Sequence, residues 1–337
     1  MADGNHSELP TVLVLRRCPT IALLEPIVSQ KFNLLKAWDS PLPQDQFLTT
    51  HASSAADGPP ITAQILHLLP SLKVIATTSA ILDHVDLAEC RRRGVAVADA
   101  GKAFAEDAAD SAVGLFIDVM RKISASNRYV RDGLWATRGD YPLGSKIGGK
   151  KVGIVGLGNI GLEVAKRLEA FGCTVLYNSR SEKPSLPYQF YSNVCELAAD
   201  SDALIICCAL TGETHHMINK EVLSALGREG VIVNVGRRVI IDEKEMVQCL
   251  VRREIRGAGL DVFENEPDVP KELFALDNVV LSLHQAVATH EAIVALGELV
   301  TGNLESFFSN KPLLSSAVIN SMEFCLQGTK LIQLIRQ

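Results

Sequence analysis

The chain of 337 residues carries 33 Lys and Arg against 39 Asp and Glu, a formal net charge of -6, and 47% of it is hydrophobic. That length exceeds what one hydrophobic core usually fills, so two domains are expected. The acidic balance, without a long basic block, argues against nucleic acid or an anionic membrane as partner and leaves small molecules as the expected ligands.

No apolar stretch reaches the ~20 residues of a membrane-spanning helix. The first ten residues lack a basic start followed by an apolar core, and Ile335-Arg336-Gln337 is no peroxisomal signal, so a cytoplasmic location is expected. The eight cysteines show no CxxC pair and no zinc-like spacing with histidine, as reduced thiols would. Cys207 and Cys208, inside an apolar run, read as small core hydrophobes.

In chain order, strands are predicted at Thr11 to Arg16, Lys73 to Thr77 and Val95 to Val97, forming a smaller α/β unit. Glu106 to Arg121 places Ala109, Ala112, Val113, Phe116 and Met120 at helical spacing and reads as a connecting helix. From Lys150 to about Ala286 short apolar runs alternate with helical stretches, the pattern of a parallel sheet wrapped by helices. Its predicted strands are Lys151 to Gly156, Thr174 to Ser179, Ala203 to Ala209, Val231 to Gly236, Gly259 to Phe263 and Val279 to Leu283. Its predicted helices are Ile160 to Phe171, Lys220 to Leu226 and Glu243 to Arg253, the last two after the caps Asn219 and Asp242. A final amphipathic helix, Thr289 to Phe308, would carry the chain back to the first domain, making an interdomain cleft the expected ligand site.

The strand from Lys151 to Val155 runs into Gly156-Leu157-Gly158-Asn159-Ile160-Gly161 and then a helix, the full context of a dinucleotide fingerprint. Gly156 allows the tight turn, Gly158 lets backbone approach a pyrophosphate, and Gly161 lets helix and strand pack closely. The next strand ends in Tyr177-Asn178-Ser179-Arg180-Ser181, where an NAD enzyme usually places an acid. Ser179, Arg180 and Ser181 instead suit a 2′-phosphate, so NADPH is expected over NADH; the alternative is that Arg180 is only a solvated surface charge, with Glu182 close enough to compete for it.

Three segments follow at the ends of predicted strands: Asn234-Val235-Gly236-Arg237, Gly257-Ala258-Gly259-Leu260-Asp261-Val262-Phe263-Glu264-Asn265-Glu266-Pro267, and Leu281-Ser282-Leu283-His284. They resemble the signatures of the D-isomer-specific 2-hydroxyacid dehydrogenases. The resemblance runs from about Pro70 to Pro312 and takes in Glu106-Asp107-Ala108-Ala109-Asp110, Arg128-Tyr129-Val130-Arg131 and Gly302-Asn303-Leu304-Glu305. Within that family it is nearest the plant-type glyoxylate/hydroxypyruvate and hydroxyphenylpyruvate reductases. It implies a Rossmann-type dinucleotide-binding domain, residues 105–289, and a discontinuous flavodoxin-like α/β substrate-binding domain, residues 1–104 and 290–337.

The resemblance also implies roles. His284 would be the general acid, Glu266 would hold its ring and keep it protonated near neutral pH, and Arg237 would bind the substrate carboxylate and polarise the carbonyl. Asp261 would meet the nicotinamide carboxamide, with Cys208, Thr214, Val235 and Gly236 also lining the cofactor, and backbone at Ser79, Ala80 and Ile81 would hold the carboxylate from the smaller domain. No metal is then required. A homodimer is implied.

Ile81, Arg238 and Leu283 stand where the family usually has glycine, glycine and proline, and Ala286-Val287-Ala288-Thr289 replaces a Gly-Ser motif. A branched Ile81 would restrict the carboxylate loop. These departures keep open an alternative, a weakly catalytic nicotinamide-sensing scaffold like the C-terminal-binding-protein co-repressors. The complete Arg237, Glu266 and His284 set favours the enzyme.

Overall fold

A computed structural model describes residues 9–14, 21–36, 60–79, 82, 84–315 and 331–335. Two compact units divide the chain: Met1–Phe104 with Thr289–Gln337, and Ala105–Ala288.

In chain order the first unit has β1 (Thr11–Val14), α1 (Ile21–Val28), β2 (Asn33–Lys36), α2 (Ala63–Leu68), β3 (Leu72–Thr77), α3 (Leu87–Arg93) and β4 (Ala96–Ala98). The second unit has α4 (Ala105–Arg121), α5 (Ile123–Arg131), α6 (Leu134–Arg138), β5 (Lys151–Val155), α7 (Asn159–Ala170), β6 (Thr174–Asn178), β7 (Gln189–Tyr191) and α8 (Val194–Ala199). It continues through β8 (Ala203–Ile206), α9 (Lys220–Leu226), β9 (Val231–Asn234), α10 (Glu243–Val251), β10 (Gly257–Leu260) and β11 (Val279–Leu281). The chain then returns to the first unit in α11 (His290–Phe308) and β12 (Leu331–Ile335).

The second unit is a seven-stranded parallel sheet ordered β11-β10-β9-β8-β5-β6-β7. The order reverses at β5, the topological switch point of a doubly wound Rossmann-type sheet, where ligands bind beyond the carboxyl ends of the strands. Alternate residues of each strand fill opposite faces. Val152, Ile154, Ala203, Ile205, Val231 and Val233 pack with Ala112 and Phe116 of α4 and Leu168 of α7. Val155, Leu204, Ile206 and Ile232 pack on the other side with Leu223, Met246 and Leu250. Both faces are covered, which is why these strands are apolar at nearly every position. The helix expected to connect domains is instead part of this core: Ala109, Ala112, Val113, Phe116 and Met120 are all buried within the second unit.

The first unit is a five-stranded parallel sheet ordered β2-β1-β12-β3-β4. This is the flavodoxin-like order, with the central position supplied by the end of the chain. That strand, Leu331–Ile335, pairs in parallel with both β1 and β3. Four of its five residues are aliphatic, a composition that suits the middle of a sheet. Residues 316–330 lie outside the described residues. The long helix α11 belongs wholly to this unit, capped by Thr289 Oγ1 on the Ala292 amide and burying Leu296, Val300 and Leu304 against Leu24 of α1.

Candidate active site

The turn after β5 has the shape its glycines predict. Gly156 lies at φ +96, and a Cβ there would come 2.5 Å from Cys208 Cα; a Cβ on Gly161 would come 2.3 Å from the Gly156 carbonyl. Both are required by the protein itself. Gly158 is different: its backbone is extended and a Cβ there would meet nothing within 4 Å. Leu157 is buried and anchors the turn, Asn159 is exposed, and no side chain caps the start of α7. The amides of Asn159, Ile160 and Gly161 therefore begin the helix beside an open glycine, a cradle that fits a dinucleotide pyrophosphate.

At the end of β6 the polypeptide is tied down on three sides. Asn178 Nδ2 donates to the Tyr191 carbonyl at 2.8 Å, Ser179 Oγ to the Ser181 carbonyl at 2.5 Å, and the Lys183 amide to the buried Tyr177 hydroxyl at 2.7 Å. Arg180 projects from this fixed turn, exposed. Among the described residues no carboxylate lies within ion-pair distance of it, so Glu182 does not claim it. The turn thus offers a guanidinium and hydroxyls where a ribose phosphate would sit, at the carboxyl end of β6.

The opposite wall comes from the ends of β8 and β9. Cys208 presses its backbone against Gly156, and burial pushes its thiol up to about 12 and that of Cys207 higher still, so both are neutral packing groups. Thr214 Oγ1 donates to the Ala209 carbonyl and accepts from the Thr211 amide, each at 2.8 Å, which closes the loop after Cys208. Asn234, almost fully buried, accepts from the Gly236 amide at 3.0 Å and donates to the Arg237 carbonyl at 3.3 Å. It bends the chain past Val235 and Gly236 so that Arg237 leaves the sheet half-buried.

Two loops then bring Glu266 and His284 together. The His284 amide donates to the Asp261 carbonyl at 2.8 Å, and the buried Asp261 carboxylate accepts from Ser282 Oγ at 2.5 Å, the Gln285 amide at 3.0 Å and the Ala286 amide at 2.9 Å. This grip holds His284 at φ 51, a left-handed conformation that is uncommon outside glycine. The loop bearing Glu266 is fastened to α10 by a reciprocal pair: the Glu264 amide donates to Glu243 Oε2 at 2.9 Å and the Glu243 amide to Glu264 Oε1 at 3.3 Å.

Between the loops, His284 Nδ1 lies 2.9 Å from Glu266 Oε2, and Glu266 Oε1 accepts from the Phe263 amide at 2.9 Å. Burial pushes the Glu266 carboxyl up, but the His284 hydrogen bond and charge, the Phe263 amide and the Arg238 guanidinium outweigh it and hold the carboxyl below its usual 4.5. An ionised Glu266 accepts a hydrogen bond from Nδ1–H, which fixes the ring and leaves Nε2 for proton chemistry. The side chain of His284 is 38% exposed, open enough to be reached, whereas that of Glu266 is 9% exposed.

The predicted substrate loop is in the first unit. Ser79 is buried and its amide already donates to Thr77 Oγ1 at 2.9 Å, so this one of the three expected carboxylate donors is engaged within its own turn. Ala80 and Ile81 lie outside the described residues. His216, one of two adjacent histidines, adds a further tie to the loop bearing Glu266: its Nε2 lies 2.9 Å from Glu264 Oε1. Sequence reasoning gave no part to Asn234, Ser282 or Glu243. The signal was available for Asn234, a polar residue closing an apolar strand directly before glycine, but not for the other two.

A sequence profile of the D-isomer specific 2-hydroxyacid dehydrogenase NAD binding domain matches residues 113–286. A glyoxylate/hydroxypyruvate reductase of Arabidopsis thaliana is 53% identical over 92% of this chain and 98% of its own. The chain belongs to the D-isomer specific 2-hydroxyacid dehydrogenase family. A hydroxyphenylpyruvate reductase of Plectranthus scutellarioides is 45% identical over 90% of this chain and 98% of its own. Among solved structures, an NADPH-dependent glyoxylate/hydroxypyruvate reductase from Sinorhizobium meliloti, with NADP and malonate, aligns with TM-score 0.81 at 31% identity, covering 91% of this chain and 96% of that one. As a member of the family this chain is a nicotinamide-dependent oxidoreductase that reduces a 2-keto acid, and the scaffold alternative is not favoured.

Proposed function

We propose that this dehydrogenase reduces hydroxypyruvate or glyoxylate, with 4-hydroxyphenylpyruvate next in order, to the D-2-hydroxy acid, and that it takes NADPH in preference to NADH. The observation that carries the reading is the 2.9 Å contact of His284 Nδ1 with Glu266, in loops that, like the one bearing Arg237, leave the carboxyl ends of the parallel strands. With Nδ1 committed to Glu266, the protonated ring presents Nε2–H to a substrate oxygen and donates its proton as charge builds there. Arg237 draws the substrate carboxylate into place and polarises the neighbouring carbonyl. A reduced nicotinamide, when bound, supplies the hydride.

The glycine turn from Gly156 to Gly161 would hold the pyrophosphate and Ser179, Arg180 and Ser181 the 2′-phosphate, while Cys208, Thr214, Val235 and Gly236 would form the wall beside the nicotinamide. Asp261 would accept from the carboxamide; three of its roughly four acceptor directions are used by its own loop, which leaves about one. Residues 105–289 would thus be the dinucleotide-binding domain, and residues 1–104 with 290–337 the substrate-binding domain. The part of Ser79, Ala80 and Ile81 in substrate binding rests on the family resemblance.

A homodimer is supported by apolar side chains left in solvent on α5, α6 and the segment after them: Ile123, Val130, Trp135 and Leu143, the last 93% exposed. No helix among the described residues is long and apolar enough to cross a membrane, and the net charge of -6 argues against a nucleic-acid partner. The test of the activity is the loss of reduced-nicotinamide absorbance with NADPH or NADH against hydroxypyruvate, glyoxylate, pyruvate and 4-hydroxyphenylpyruvate. Turnover of pyruvate alone, or of none, would remove the substrate assignment. The His284→Gln enzyme should bind NADPH normally and turn over about 10²–10⁴-fold more slowly.

A further inference from the structure

The sequence places two arginines in a row after β9, and the proposed function uses only the first. Arg238 opens a short 3-10 turn at Arg238–Ile240. Its Nη1 lies 4.0 Å from Glu266 Oε2. That is the same oxygen that meets His284 Nδ1 at 2.9 Å. The side chains of Arg238 and Glu266 are 29% and 9% exposed, so solvent screens the contact only in part.

The other charged groups of this unit around the pair are committed elsewhere. Glu264 accepts from His216 and from the Glu243 amide, and Glu243 in turn holds the Glu264 amide. Asp261 is bonded to Ser282 and to the amides of Gln285 and Ala286. Arg237 Nη1 donates to the Gly236 carbonyl at 3.2 Å. Glu266 is therefore the carboxylate on which both the fixed cation of Arg238 and the titrating ring of His284 converge.

We propose that Arg238 is a positioning residue that shares Glu266 with His284 and so lowers the pH at which the pair gives up its proton. The fixed charge acts in two ways. It neutralises part of the carboxylate that favours the imidazolium, and it repels that imidazolium directly. Reduction needs the protonated ring, so the alkaline limb of the reductase lies lower with Arg238 than with a neutral side chain there. The inference rests on the reading of His284 as general acid, and its test separates the two.

The pH dependence of kcat/KM for hydroxypyruvate reduction is measured for the unaltered protein, Arg238→Met, Arg238→Gln and Arg238→Lys. The chemical shift of the carbon-bound Cε1 proton of His284, which follows the charge of the ring, is tracked by NMR over the same pH range in the full chain without substrate. In both neutral variants the midpoint of the alkaline limb should rise by about half a unit to one unit, the scale of one charge a few Å away in a partly solvated site. The midpoint of the Cε1 proton shift should rise with it, and Arg238→Lys should stay close to the unaltered protein. Neutral variants that superimpose on the unaltered protein in both measurements overturn the proposal. If His284→Gln retains full turnover, the general-acid reading fails instead. The NMR series then decides on Arg238 alone, a shift supporting the shared carboxylate and no shift refuting it.

Discussion

The amide of His284 donates to the carbonyl of Asp261 at 2.8 Å, while the Asp261 carboxylate holds the residues on either side of the histidine through Ser282, Gln285 and Ala286. A residue at the end of one strand thus fixes the conformation of a loop leaving the next. Family resemblance assigns Asp261 to the cofactor; its own bonds assign it first to the histidine.

Asp261→Asn separates these roles. Whichever way the amide is turned, its NH₂ group faces a backbone N–H, from Gln285 in one orientation and Ala286 in the other. The expected cost is about 1–3 kcal/mol of stability, the usual scale for a buried donor without a partner, with a fall in kcat as the His284 loop loosens. Urea unfolding and steady-state kinetics check both. An unchanged unfolding midpoint with normal kcat would show that the loop is held by other contacts.

Arg180→Ala tests cofactor choice. Because Tyr177, Asn178 and Ser179 hold the turn without help from Arg180, the variant should fold normally. Affinity for NADPH should drop by about tenfold or more, on the scale of one lost charge-assisted bond, while affinity for NADH barely moves. Titration of nicotinamide fluorescence gives the two constants. Equal losses for both cofactors would remove the phosphate contact.

The same logic distinguishes the glycines of the turn. Gly161→Ala puts a methyl 2.3 Å from a backbone carbonyl and should destabilise the protein by about 1–3 kcal/mol or more even without cofactor. Gly158→Ala meets nothing within 4 Å and should leave stability within about 0.5 kcal/mol while weakening the cofactor severalfold. Thermal unfolding and cofactor titration of the two variants give the contrast. Two variants equally stable, or equally weak in binding, would show that the turn is not the cradle described.

How far the sequence could be read follows from where strands stop. The predicted runs overshoot at their carboxyl ends: Ala203 to Ala209 pairs only to Ile206, Val231 to Gly236 only to Asn234, and Val279 to Leu283 only to Leu281. Past β8, β9 and β10 hydrophobicity persists because Cys208, Val235, Val262 and Phe263 remain packed while the backbone has already left the ladder to build the site, whereas Leu283 past β11 is 78% exposed. Helices were legible where caps mark them, as at Asn219 and Asp242, whose side chains accept from Glu221 and Glu245. The strand Gln189–Tyr191 and the helix Val194–Ala199 were not, being too short to show a period. In the site, residue identities carried the trio, because each chemical role needs a particular side chain. The supports at Ser282, Glu243 and Arg238 are made by distances between loops, which no spacing along the chain encodes.

Acid titration tests the state of Glu266. Its carboxyl is held below 4.5 in the folded protein, despite burial, by His284, the Phe263 amide and Arg238. A group whose folded value is depressed adds stability that is complete above its unfolded value and disappears as pH falls through the folded one. Glu266→Gln, which cannot take this charge, should therefore be less stable than the unaltered protein by a constant margin from neutral pH down to about pH 5, and the margin should shrink below that. Its size should be about 1–3 kcal/mol, as for a hydrogen-bonded charge with little exposure, read from urea midpoints across the series. A margin that widens on acidification would mean that Glu266 is already protonated at neutral pH. His284 Nδ1 would then face a carboxylic acid, and the ring would lose the partner that makes it a proton donor.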